Sequence, residues 1–105
     1  MGMERSSSAL IDPRPGAVTI VVSSGCHFCR DAEDVLDELG QEFPMVVTRV
    51  DLRSPAGMDL AQSHGAAMSP LVLLDGVFVS AGRLPRNKIR TMLAQRADRV
   101  VSVPR

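Results

Sequence analysis

Residues 17–29 decide the fold: Ala17-Val18-Thr19-Ile20-Val21-Val22, then Ser23-Ser24-Gly25, then Cys26-His27-Phe28-Cys29. The first six residues form an unbroken, mostly β-branched run between Pro15-Gly16 and Ser23-Ser24-Gly25. Such a run predicts a strand buried on both faces, in a central position of a sheet. Beyond the cysteines, Phe28, Ala32, Val35, Leu36 and Leu39 recur at helical spacing and make one apolar face. Asp31, Glu33, Asp34, Asp37 and Glu38 stand opposite them, and Gly40 supplies a stop. The cysteine pair therefore lies at a strand-to-helix junction.

Working outward, residues 45–50 (Met-Val-Val-Thr-Arg-Val) predict a second strand. Ser54-Pro55 reads as an N-cap with proline at the first helical position, opening a short helix that carries Met58, Leu60 and Ala61 and ends near Gly65. Leu71-Val72-Leu73-Leu74 is a third strand, Asp75-Gly76 a tight hairpin turn, and Val77-Phe78-Val79 the returning fourth strand. A bend over residues 82–85 leads to a last helix with Ile89, Met92, Leu93, Ala97 and Val100 on one face. The order β-α-β-α-β-β-α predicts an α/β fold with a four-stranded mixed sheet flanked by three helices. Residues 1–16 are expected to be a flexible leader, 17–98 a single domain and 99–105 a tail.

With 105 residues the chain can bury one modest core. Twelve basic residues balance twelve acidic ones, so no overall field argues for nucleic acid or an anionic membrane. There are three Phe, no Trp and no Tyr, which leaves the core to aliphatic side chains and disfavours ligand recognition by stacking. No apolar run reaches the roughly 18 residues of a membrane span, and the N-terminus lacks the apolar core of an export signal. A cytoplasmic location is the expectation. Charge is uneven: the first helix is acidic, while Arg83, Arg86, Lys88, Arg90, Arg96, Arg99 and Arg105 make the C-terminal quarter basic. Two solvated helix faces explain this more simply than a docking surface for an acidic partner.

The two cysteines are three positions apart. A bridge across so short a segment closes almost no loop and adds little stability, so chemistry is the better account of the pair. Cys26 stands at the helix mouth, where free backbone N–H groups and the helix dipole favour a thiolate. Cys29, one turn on, shares a helix face with it. The natural division makes Cys26 the exposed nucleophile and Cys29 the resolving thiol. His27 either supports the thiolate as an imidazolium or is a plain solvent-facing residue, and spacing does not choose between the two. Phe28 reads as core and His64 as surface. Zinc within one chain is disfavoured, since a structural site wants four ligands and the only other candidates are the isolated His27 and His64.

On these residues the chain resembles the thioredoxin superfamily, and within it the small glutaredoxin-like proteins, over residues 17–97. Three matches carry the resemblance: Cys26-His27-Phe28-Cys29 after a buried strand, Ser69-Pro70 before the third strand, and the Asp75-Gly76 hairpin. It implies a thioredoxin fold with Pro70 in the cis form beside an active-site disulfide, and a backbone at Ser69 that pairs with extended substrate. It also implies a dithiol oxidoreductase acting on protein disulfides or on mixed disulfides between protein and a low-molecular-weight thiol. No bound cofactor, metal, nucleic acid or membrane is expected, and the chain is expected to be a monomer.

Departures from the glutaredoxin pattern concern the thiol partner. Ser23-Ser24-Gly25 stands where those proteins carry an upstream basic residue, and His27-Phe28 replaces Pro-Tyr between the cysteines. Met68-Ser69 replaces Thr-Val, and Ser80-Ala81-Gly82-Arg83 replaces a Gly-Gly-acid turn. Arg53 or Arg83 is left as the group to take a carboxylate of a low-molecular-weight thiol. Eleven of the twelve basic residues are Arg, a bias of high-GC bacterial coding, which adds mycothiol to glutathione and a reductase as candidate electron donors. Two alternatives stay open: a non-catalytic binding module of the same fold, and a metal or cluster carrier working as a dimer.

Overall fold

The computed structural model describes residues 15–102, with side-chain surroundings to residue 96. Its elements are β1 (Gly16–Val22), α1 (His27–Leu39), β2 (Met45–Asp51), α2 (Pro55–Ser63), β3 (Leu71–Leu74), β4 (Val77–Ala81) and α3 (Arg86–Ser102). The sheet order is β2-β1-β3-β4, with β1 parallel to β2 and antiparallel to β3, and β3 antiparallel to β4. This is the expected mixed sheet. Asp75 and Gly76 both adopt positive φ, 53° and 81°, as the tight turn between β3 and β4 requires.

Side chains alternate across the sheet and divide the core in two. Val18 and Ile20 of β1, with Val72 and Leu74 of β3, pack against Ala32, Leu36 and Leu39 of α1 and Ile89 and Leu93 of α3. On the other face Val21, Leu71 and Leu73 meet Leu60 of α2, Leu52 and Val50. The second layer is the thinner, because α2 has nine residues. β1 is therefore central but not buried throughout on both faces. Ala17 is exposed and Thr19 half-buried, since so short a helix reaches only the C-terminal part of that face.

Other expectations shift in detail. Cys29, Ala32, Leu36 and Leu39 form the buried stripe of α1; Phe28 lies off it and is exposed. Met58, expected on the apolar face of α2, is also exposed. β4 extends to Ala81, with a register shift opposite Val72 and Leu73 that lets Val79 enter the core. Gly16, expected in the leader, begins β1, and α3 runs on to Ser102 beyond the boundary expected at 98. Residues 1–14, expected as a leader, and residues 103–105 lie outside the described residues, as do the side chains of Ala97 and Val100.

Ser54 caps α2 as its sequence predicts: its side chain accepts from Gly57 N at 3.0 Å, and Pro55 follows in the first turn. Ser54→Ala is expected to cost about 1 kcal/mol of stability, read as a lower denaturant midpoint with unchanged slope.

Two basic residues of α3 reach acidic groups on and just after α1. Arg86 pairs with Glu38, and Arg90 with Glu42 through both terminal guanidinium nitrogens. The uneven charge is thus partly neutralised within the chain. Arg90 holds the Glu42 carboxyl below its ordinary value of 4.5, chiefly through the hydrogen bond. A carboxyl depressed in the folded state contributes stability above its unfolded value and loses it as pH falls through its folded value. Glu42→Gln should therefore lower stability slightly at neutral pH and not at all below the carboxylate range. Urea unfolding at both pH values reads the difference.

Candidate active site

The strand-to-helix junction places the cysteines. β1 ends at Val22, residues 23–25 turn with Gly25 at φ 69°, and Cys26 becomes the N-cap of α1 with extended φ and ψ. A side chain in the N-cap position points at the first N–H groups of the helix, and Cys29 N donates to Cys26 Sγ at 3.1 Å. The first turn of α1 holds no acidic residue, so a Cys26 thiolate is the anion on which those donors and the dipole act. Cys26 and Cys29 are joined as a disulfide, with Cα atoms 5.2 Å apart.

Exposure separates the two sulfurs. Cys29 lies in the buried stripe of α1 at 4% exposure, whereas Cys26 is half-buried at the helix mouth. A disulfide partner arriving from solvent meets Cys26 first. That inequality follows from helix geometry: the N-cap stands outside the first turn, and position i+3 already belongs to the face packed on the sheet.

Facing the disulfide is the segment before β3. The Ser69–Pro70 peptide is cis, and Pro70 is fully buried. Ser69 turns both of its oxygens towards Cys26 Sγ, the hydroxyl at 3.6 Å and the carbonyl at 3.8 Å. Gly82 N donates to Pro70 O at 2.9 Å and ties the loop after β4 to this segment. A Cβ on Gly82 would touch Met68, which itself stands exposed beside Ser69.

Of the residues singled out in the sequence, Cys26, Cys29, Ser69 and Pro70 therefore come together. His27 does not point into the pair: it is exposed on α1, with Nε2 3.5 Å from Asp31 Oδ2 one turn along. Arg83 lines a groove with Asp31, Asp34, Val35, Leu84 and Arg86, on the α1–α3 side. Arg53 lines another groove, of about 350 Å³, with Ser23, Ser24, Arg49 and Asp51 at the end of β1 and β2. Arg49 and Arg53 are engaged there by Glu33 and Asp51. His64, expected as plain surface, is half-buried and stacks on Phe78 at 6.4 Å.

Ser23 is the residue that sequence reading missed. Its hydroxyl meets that of Ser69 at 2.9 Å, across 46 positions of chain. Nothing local in Ser23-Ser24-Gly25 distinguishes a hydroxyl at the site from one that merely turns the chain. Among the described residues, no three of His, Cys, Asp and Glu gather in a metal-ligating cluster, and no helix is long and apolar enough to cross a membrane.

No protein-family profile matches the chain, and neither does any curated protein. Solved structures do. A thioredoxin-like protein from Clostridium perfringens superposes with a TM-score of 0.65 at 16% identity, over 87% of this chain and 78% of that one. A mutant thioredoxin from Halobacterium salinarum gives 0.61 at 17% identity, over 90% and 84%. An oxidised thioredoxin from Arabidopsis thaliana gives 0.58 at 18% identity, over 88% and 86%. With the element order, the mixed sheet and the cysteine pair at the mouth of α1, these superpositions establish that the chain has the thioredoxin fold.

Proposed function

We propose that the protein is a dithiol–disulfide oxidoreductase acting on protein disulfides or on mixed disulfides between a protein and a low-molecular-weight thiol. The observation that carries this reading is the unequal exposure of two cysteines bonded across the first turn of α1, with Ser69 facing the outer one.

In the reduced protein, the Cys26 thiolate attacks one sulfur of the substrate disulfide. That S–S bond breaks, and the departing sulfur takes a proton from solvent. Cys29, deprotonated, then attacks Cys26 Sγ in the mixed disulfide and releases the second substrate thiol. The protein is left as the Cys26–Cys29 disulfide, having delivered two electrons. A low-molecular-weight thiol, glutathione or mycothiol, or a protein reductase returns them. Ser69 supplies the edge along which an extended substrate segment lies, and the protein works as a cytoplasmic monomer.

The test is turnover of a mixed disulfide of cysteine and a peptide, with glutathione, mycothiol, or thioredoxin reductase and NADPH offered separately as donor. Sustained turnover with one of them is the expected result and identifies the donor. Failure with all three, together with failure of dithiothreitol-reduced protein to cleave the substrate even once, would overturn the reading in favour of a non-catalytic binding module.

A further inference from the structure

The chemistry of the disulfide fixes the direction of a hydrogen-bond chain. Cys26 Sγ is bonded to Cys29 Sγ and carries no hydrogen, so in its 3.6 Å contact with Ser69 Oγ the hydroxyl must be the donor. When its single proton is turned to sulfur, Ser69 accepts in the 2.9 Å contact with Ser23. The arrangement that serves both contacts at once has the Ser23 hydroxyl donating to Ser69 and Ser69 donating to Cys26. In such a chain each bond polarises the next. We propose that Ser23 is a positioning residue of the site: it holds the Ser69 hydroxyl as a donor to Cys26, stabilising the thiolate of the reduced protein. The inference rests on the oxidoreductase reading only for its use, since the Ser23–Ser69–Cys26 contacts exist whether or not turnover follows.

Ser69 also presents an opposing group. Its carbonyl lies 3.8 Å from the same sulfur, an acceptor that favours the protonated thiol over the thiolate. The hydroxyl offsets it. Without Ser23 the Ser69 hydroxyl is released to other rotamers, and the carbonyl acts with less opposition. The remaining donor, Cys29 N at 3.1 Å, is backbone and stays in place.

Some of the charged groups on the elements around the site are paired with one another. On α1, His27 faces Asp31, and Arg30 is exposed. On the β2 side, Arg49 is held by Glu33 and Arg53 by Asp51, in the groove that Ser23 and Ser24 also line. On the β4–α3 loop, Arg83 shares its groove with Asp31 and Asp34. Ser80, the buried polar residue on β4, has no charge. The hydroxyl pair is thus the neutral contribution to a thiolate that is otherwise served by the helix mouth.

The experiment titrates Cys26 in the reduced protein through its thiolate absorbance and its alkylation rate against pH, in wild type, Ser23→Ala, Ser69→Ala, the double variant and Ser69→Thr. A hydrogen bond to a charged, half-exposed sulfur sets the scale: Ser69→Ala should raise the midpoint by about one pH unit. Ser23→Ala should raise it by roughly half as much, since the Ser69 hydroxyl remains but is no longer held. The double variant should match Ser69→Ala, because Ser23 acts only through Ser69, and Ser69→Thr should restore the wild-type midpoint.

A role confined to holding the loop would leave the midpoint unmoved in Ser23→Ala while lowering the unfolding temperature, and that result overturns the proposal. So does a double variant whose shift is the sum of the two single shifts. If the predicted shifts appear in a protein that cleaves no disulfide, the relay stands and the oxidoreductase reading falls.

Discussion

Cys26→Ser is expected to abolish disulfide reduction completely, whereas Cys29→Ser is expected to keep the first attack and lose turnover on substrates that need resolution. The difference is structural. Cys26 is the N-cap of α1, accepts from Cys29 N and is open to solvent, while Cys29 is sealed against the sheet. A serine at 26 keeps the cap, because its hydroxyl accepts the same N–H; folding should be preserved, and the loss is one of chemistry. A serine at 29 leaves the nucleophile intact and removes the sulfur that would displace the second thiol. Protein carrying Cys29→Ser should therefore accumulate as a mixed disulfide on Cys26, seen as a mass increase equal to one substrate half. If Cys26→Ser retains full activity, or if the Cys29→Ser adduct never forms, the two roles are wrongly assigned.

Gly57→Ala should be the most damaging small substitution in the fold. A Cβ there would lie 2.0 Å from Asp51 O, 2.8 Å from Asp51 C and 2.9 Å from Leu52 Cα, all of them backbone. Asp51 O is not free to retreat, for it accepts from Ser54 N at 2.9 Å and from Ser54 Oγ at 2.6 Å. Gly57 N in turn donates to Ser54 Oγ. Relief of the clash must therefore move α2 off the end of β2 and break its cap, on the face where the core is thinnest. Overpacking of this kind, with the cap lost, is expected to cost about 3 kcal/mol, a large share of a small domain's stability. The melting temperature should fall by roughly 12 °C or more. By contrast, Gly25→Ala meets nothing within 4 Å and strains only its φ of 69°, so about 1 kcal/mol is expected. Calorimetry of the two variants separates close packing from backbone conformation, and equal losses would contradict the packing argument.

The topology was legible because local signals agreed. A β-branched run, helical spacing, a Ser-Pro cap and an Asp-Gly turn each specify an element without reference to the rest of the chain, and their order sets the sheet. The cysteine pair was legible for the same reason: its position between β1 and α1 is a matter of sequence adjacency. Where the reading slipped, the deciding fact was not local. Phe28 matches the helical period as well as its neighbours do, but Cys29 is the small apolar residue that takes the inward position, which turns Phe28 out. The exposed start of β1 depends on how far α2 reaches, and the extra residue of β4 depends on a bulge opposite β3. The groove that Arg83 lines also holds Asp31 and Asp34, about fifty positions earlier, a neighbourhood that only the packed fold brings together. Ser23 and Ser69 meet only because β1 and β3 are neighbours in the sheet.

The most direct measurement is competitive alkylation of the reduced protein at neutral pH. With less than one equivalent of iodoacetamide, followed by unfolding and blocking with a second reagent, peptide mass spectrometry should find the first label on Cys26 and almost none on Cys29. Equal labelling of the two cysteines, or preference for Cys29, would contradict the assignment of Cys26 as the activated nucleophile.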